Sequence, residues 1–216
     1  MSKSIKHHLT DDLLMAYAAG SLPEAFDLMV ATHLSLCDHC RARAGSYDAV
    51  GGHVLEEQAE SIAMSDTSLA ATMALIAKGA PAAKPVRPNC PVLPVPLQDY
   101  VGGTVSDIRW RPVGMGVKQA ILPTTKDATA RLLLIPAGAA VPDHGHHGME
   151  LTMVLQGAFS DEVDHFARGD VEIADEDLEH TPLADISEDC ICLAVTDAPL
   201  KFNKLMPRLF QPFLRI

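Results

Sequence analysis

Apolar and polar positions follow two different periods along this chain, helical before residue 80 and strand-like after residue 100. Thr10 is placed to cap a helix that carries Asp11 and Asp12 in its first turn. That helix sets Leu13, Leu14 and Tyr17 on one face and ends at Gly20. Ser21 and Glu24 read as a capping box for a second helix, whose apolar stripe runs Phe26, Met29, Val30, His33. A third helix is expected to start near Cys40 and run through Tyr47 and Val50 towards Glu60, loosened by Gly51-Gly52. A fourth, Ser68 to Ala77 (SLAATMALIA), is apolar on more than one side. Its surplus apolar surface either completes the bundle or awaits a partner.

Residues 80–99 contain six prolines and read as an extended, semi-rigid linker. Beyond Tyr100 come ARLLLIPAG, ELTMVLQGAF, DVEIAD and DCICLAVT, short strands separated by Gly, Pro and Asp turns. Their spacing suits a small antiparallel barrel or sandwich. The expected class is therefore α + β in two domains: a helical bundle over residues 1–80, a linker over 81–99 and a β domain over 100–216.

Charge narrows the partners. The chain carries 17 basic and 28 acidic side chains, a net charge of −11, and both halves are acidic. This argues against direct nucleic-acid binding and favours a basic protein surface. No apolar run reaches the roughly 18 residues of a membrane span. The five cysteines do not form the framework of a secreted mini-domain, and no signal peptide opens the chain. A reducing cytoplasm, where CxxC binds metal or does redox chemistry, fits best.

Two clusters carry candidate chemistry. His33, Cys37 and Cys40 form H-x3-C-x2-C. With His33 on the last helical turn, Cys37 lies four positions on along the same face and Cys40 one tight turn further. Thiolate and imidazole at that spacing favour a tetrahedral Zn2+ once a fourth ligand joins, and His7 and His8 are both within reach of that role. In the β region, Gly138, His144, His146, Glu150 and Gly157 stand at G-x5-H-x-H-x3-E-x6-G. Strand alternation puts His144 and His146 on one face, Glu150 starts the returning strand, and His180 can supply a fourth ligand.

The second cluster resembles the first motif of the cupin family without a departure in spacing. The second cupin motif keeps Gly169 and His180 in register but has Asp175 for Pro, Asp177 for Gly and Ala184 for Asn. The pairing of H-x3-C-x2-C with a cupin resembles the zinc-binding anti-sigma family, in particular its ChrR-type group, over nearly the whole chain. The resemblance implies a zinc-stabilised helical domain and a cupin-like antiparallel β-barrel. It implies one Zn2+ on His8, His33, Cys37 and Cys40 and a second on His144, His146, Glu150 and His180. The implied partner is an extracytoplasmic-function sigma factor, held 1:1 and kept from RNA polymerase. Release would follow singlet oxygen or related oxidative signals sensed by the cupin.

Cys190 and Cys192 are redox candidates there. Their Cα separation in an extended strand, about 6.6 Å, disfavours a mutual bridge. An alternative is a metal-dependent cupin enzyme of dioxygenase or isomerase type. The altered second motif and the lack of a further acid–base pair weigh against it. A DNA-binding zinc module is a third reading, opposed by the scarcity of Lys and Arg before residue 80.

Overall fold

The computed structural model describes residues 4–58, 64–79, 88–142, 144–145, 147–176, 178–199 and 201–202, with the backbone alone at 58, 144, 201 and 202. The end of the third helix beyond residue 58, linker residues 81–87, His146, Asp177 and residues 203–216 lie outside the described residues, as does the side chain of His144.

Helix α1 (Asp11–Ala18) begins where Thr10 Oγ1 accepts the Leu13 N–H at 3.4 Å. It ends at Gly20, whose φ of +64° suits glycine, as Ser21 N–H returns to the Ala16 carbonyl at 3.0 Å. Helix α2 (Glu24–Leu34) departs from the expected capping box. Pro23 occupies the N-cap and no side chain caps the helix. The Glu24 carboxylate is spent elsewhere, accepting from Tyr100 Oη at 2.8 Å and from the Thr125 N–H at 2.6 Å. Helix α3 (Asp38–Gln58) starts two residues earlier than Cys40, and Gly51-Gly52 does not interrupt it. Helix α4 (Ser68–Ala77) has no buried residue.

Helix α5 (Val95–Val101) is the second departure. Proline at the start of a helix costs little, because its missing N–H would be unpaired there anyway. Pro94 and Pro96 occupy those positions, and Gly102 closes the helix at φ +78°. Leu93 and Leu97 are fully buried, and α5 packs against α2. Two such leucines contribute roughly 2 kcal/mol each, so this part of the proline-rich stretch is anchored rather than extended.

The strands are β1 (Arg111–Gly114), β2 (Val117–Ile121), β3 (Thr129–Ile135), β4 (His144–Gly145), β5 (Glu150–Gln156), β6 (Ala158–Ser160), β7 (His165–Ala167), β8 (Val171–Ala174), β9 (Leu183–Ala184), β10 (Cys190–Thr196) and β11 (Lys201–Phe202). They form an antiparallel six-stranded sheet ordered β1-β2-β3-β10-β5-β8, a three-stranded sheet β7-β6-β9 and the pair β11-β4. Among the described residues the pairing does not close into a continuous barrel. The two larger sheets instead share an inner core of Val117, Val154, Phe159, Phe166, Cys190 and Cys192.

The opposite face of the large sheet is also covered. Leu151, Met153 and Leu155 of β5 and Leu193 and Val195 of β10 join one core with Leu14, Phe26, Met29 and Val30. Helix α2 lies across β3, β5 and β10. Helical and β regions therefore meet over a shared apolar core, and β10 is buried at every position.

Candidate metal centres

Local geometry assembles the first centre. After α2, the Leu36 and Cys37 N–H groups both donate to the His33 carbonyl at 2.9 Å, a tight turn that brings Cys37 back over His33. The Cys40 N–H then points at Cys37 Sγ, 3.4 Å away. His8 arrives from the N-terminal arm, its Nδ1 3.3 Å from Cys37 Sγ and 3.5 Å from Cys40 Sγ. One ligand atom from each of His8, His33, Cys37 and Cys40 lies within 4.8 Å of the others. For Zn–S near 2.3 Å and Zn–N near 2.0 Å, the edge of a tetrahedron is about 3.5 Å, so the spacing suits the ion.

The chemistry of the cluster also fits a soft dication. His33 is wholly buried and its Nε2 has no hydrogen-bond partner. Its Nδ1 lies 3.0 Å from the Gly169 carbonyl, which can only accept, so Nδ1 carries the proton and Nε2 presents a lone pair. Burial pushes the His33 imidazolium down to about 4 and the Cys40 thiol up to about 11. The pocket therefore resists both a positive ring and an uncompensated thiolate, and a dication balances two thiolates. This His/Cys site can hold a metal.

His7 and His8 were equivalent by spacing; the structure separates them. The His7 ring turns to the β region, with Nε2 3.1 Å from Asp164 Oδ2 and its centroid 4.4 Å from that of Phe166. His8 turns to the cysteines. The exposed His39 ring rests against His8 at 4.6 Å.

Of the second set, the structure describes the side chains of Glu150 and His180. Both are buried. Thr152 Oγ1 donates to Glu150 Oε1 at 3.0 Å. His180 Nδ1 lies 2.8 Å from Glu172 Oε1 and 3.3 Å from Asp161 Oδ2, and these three residues form a cluster of their own. Burial alone would lower His180, but its bonds to Glu172 and Asp161 outweigh it and raise the ring, with Glu150 close enough to contribute. Burial pushes Glu172 up to about 7. Asp161 is held near 2 despite its burial, by Glu172, by the Asp164 and Val163 N–H groups and by His180. Sequence reasoning missed Asp161 and Glu172. The only signal for Glu172 was alternation in DVEIAD, which puts it on the inner face beside Thr152.

Cys190 and Cys192 are free and buried, their sulfurs 3.5 Å apart. Cys90 is half-buried, and its sulfur accepts the Leu93 N–H at 3.3 Å.

Fold and site together define a helical domain with a His/Cys site that can hold a metal, packed on a cupin-like β domain. Residues 98–200 match the family model of the ChrR cupin-like domain. Over 213 residues the chain is 61% identical to the anti-sigma-E factor ChrR of Cereibacter sphaeroides, covering 99% of this chain and 100% of that one. Its structure is similar to that in the crystal structure of Rhodobacter sphaeroides SigE in complex with the anti-sigma ChrR, with a TM-score of 0.78 and 59% identity, covering 89% of this chain and 99% of that one. The chain belongs to the ChrR family of anti-sigma factors. Membership in a regulatory family sets the enzyme alternative aside.

Proposed function

We propose that this chain is an anti-sigma factor that sequesters an extracytoplasmic-function sigma factor in a cytoplasmic 1:1 complex and keeps it from RNA polymerase. The observation that carries the reading is an uncovered apolar surface. Leu69 and Ile76 of α4 are 73% and 66% exposed, Met73 and Leu75 are also exposed, and α3 separately exposes Val50, Val54 and Leu55. A family whose named member is seen complexed with SigE supplies the partner that such a surface lacks. The net charge of −11 favours a basic protein partner. No helix among the described residues is long and apolar enough to cross a membrane.

In this reading His8, His33, Cys37 and Cys40 hold a structural Zn2+ that fixes the arm, the end of α2 and the start of α3 as the platform for sigma. A second Zn2+ belongs to His144, His146, Glu150 and His180, where the Glu172 contact at His180 Nδ1 makes Nε2 the ligand atom. The cupin then serves the response to singlet oxygen or related oxidants. The test is co-elution of the full chain with its cognate sigma factor. The expected complex is lost on chelation and weakened at least tenfold by Leu69→Asp with Ile76→Asp, at unchanged melting temperature. Full affinity in the double variant would remove α4 from the interface.

A further inference from the structure

The β domain does more than lie beside the first metal centre. We propose that its turn at residues 167–171 forms one wall of that centre, with Gly169 and Asp170 acting as positioning residues for His33 and for the arm that carries His8. The inference rests on the reading of His8, His33, Cys37 and Cys40 as a metal site.

Three independent contacts converge on this turn. The Gly169 carbonyl holds His33 Nδ1 at 3.0 Å inside the core, 136 residues away in sequence, and so fixes both the tautomer and the direction of Nε2. The Asp170 carboxylate, 3% exposed as a residue, accepts the Lys6 N–H at 2.6 Å and the His7 N–H at 2.9 Å through Oδ1. Its Oδ2 accepts the Ala167 N–H at 2.9 Å, which anchors the carboxylate within its own turn. The Val171 N–H donates to the His7 carbonyl at 3.2 Å, so the arm is bound on both sides of His7 and His8 has little freedom to leave the cysteines.

Close packing enforces the same register. Gly169 has φ +90°, and a Cβ there would stand 2.6 Å from Ile5 Cδ1 and 2.8 Å from Ile5 Cγ1. The arm therefore seats on a surface that only glycine leaves open. The turn is also continuous with the inner cluster. Asp170 and Glu172 flank Val171, and Glu172 holds His180 at 2.8 Å. A displacement of β8 on the cupin side moves Gly169 and Asp170, and with them two of the four residues of the metal cluster. This gives the β domain a direct route to the metal that does not depend on the proline-rich segment.

The experiment is cobalt substitution of the full-length chain, followed by absorption in competition with a chelator. The second set as proposed contains no thiolate, so thiolate-to-cobalt charge transfer reports the Cys37–Cys40 centre and the two metals are read separately. The unsubstituted chain is expected to show that band. Asp170→Ala is expected to lower cobalt affinity at this centre 10- to 100-fold, the usual effect of removing a group that orients ligands. Gly169→Ala is expected to weaken it as well, and Ile5→Ala is expected to restore part of that loss by removing the atoms the new methyl meets. A chain without the charge-transfer band would refute the metal reading itself. A chain with the band whose Asp170→Ala and Gly169→Ala variants keep full affinity would overturn the wall while leaving the metal reading intact. Loss in Gly169→Ala that Ile5→Ala does not relieve would count against the packing of arm on turn.

Discussion

The two candidate centres each orient a histidine through Nδ1, but with opposite electrostatics. His33 faces a neutral carbonyl, and burial dominates, so the ring stays neutral with Nε2 as an acceptor. His180 faces the Glu172 and Asp161 carboxyl groups, which raise its affinity for a proton. A metal at the first centre would meet a neutral ring but displace thiol protons, since burial pushes Cys40 up to about 11. At the second, a metal would compete with the proton shared among His180, Glu172 and Asp161. Under the proposed reading the first centre would hold its metal constantly, whereas at the second metal, proton and carboxyl groups would respond to one another.

The largest effect that would test this division comes from removing a ligand on each side. Cys40→Ala is expected to abolish metal binding at the first centre, melt the helical domain and eliminate sigma binding, since a structural zinc supplies on the order of 10 kcal/mol of folding free energy. Glu150→Gln is expected to leave the purified sigma complex within about twofold of the unsubstituted affinity. Equal losses of sigma binding from both substitutions, measured by co-elution and by thermal melting, would erase the contrast between holding and responding.

A finer test acts on the orientation of His180. Glu172→Gln keeps the side-chain volume but removes the carboxylate. It is expected to lower metal affinity at the second centre about tenfold, in the range typical of groups that orient ligands, while the thiolate band of the first centre stays unchanged. Unchanged metal affinity at the second centre would mean that Glu172 is a structural acid and not part of the His180 relay.

How much of this was visible in the sequence follows from how local each feature is. The turn from His33 to Cys40 depends on helix geometry over eight residues, so its spacing announced the cluster. Thr10 and Gly20 marked the ends of α1 for the same reason. Glu24 misled because a capping box is only one use for a carboxylate at a helix start, and its actual partners lie 76 and 101 residues away. Pro94 and Pro96 read as linker, yet proline tolerates a helix start, and burial of Leu93 and Leu97 decided the outcome. The covered outer face of the sheet did leave a trace. CICLAVT in β10 is apolar at nearly every position, as a strand buried on both faces should be. What covers that face, and that Gly169 and Asp170 reach back to His33 and the arm, depends on contacts roughly 100 residues or more apart, which no local pattern encodes.

The smallest expected effect concerns the arm that joins the two regions. Burial would raise the Asp170 carboxyl, but the His7, Ala167 and Lys6 N–H groups outweigh it and hold it below the ordinary carboxylate range. A depressed folded-state value means that the contribution is fully present above the unfolded value near 4 and fades as pH falls through the lower folded one. The Lys6 and His7 amides should therefore keep their protection from hydrogen exchange down to about pH 4 and lose it below, before the inner sheet opens. In Asp170→Asn that acid-dependent step should vanish, because the replacement amide does not titrate. A step that persists in the variant would assign the acid sensitivity to another carboxylate, with Asp164 beside His7 the next to replace.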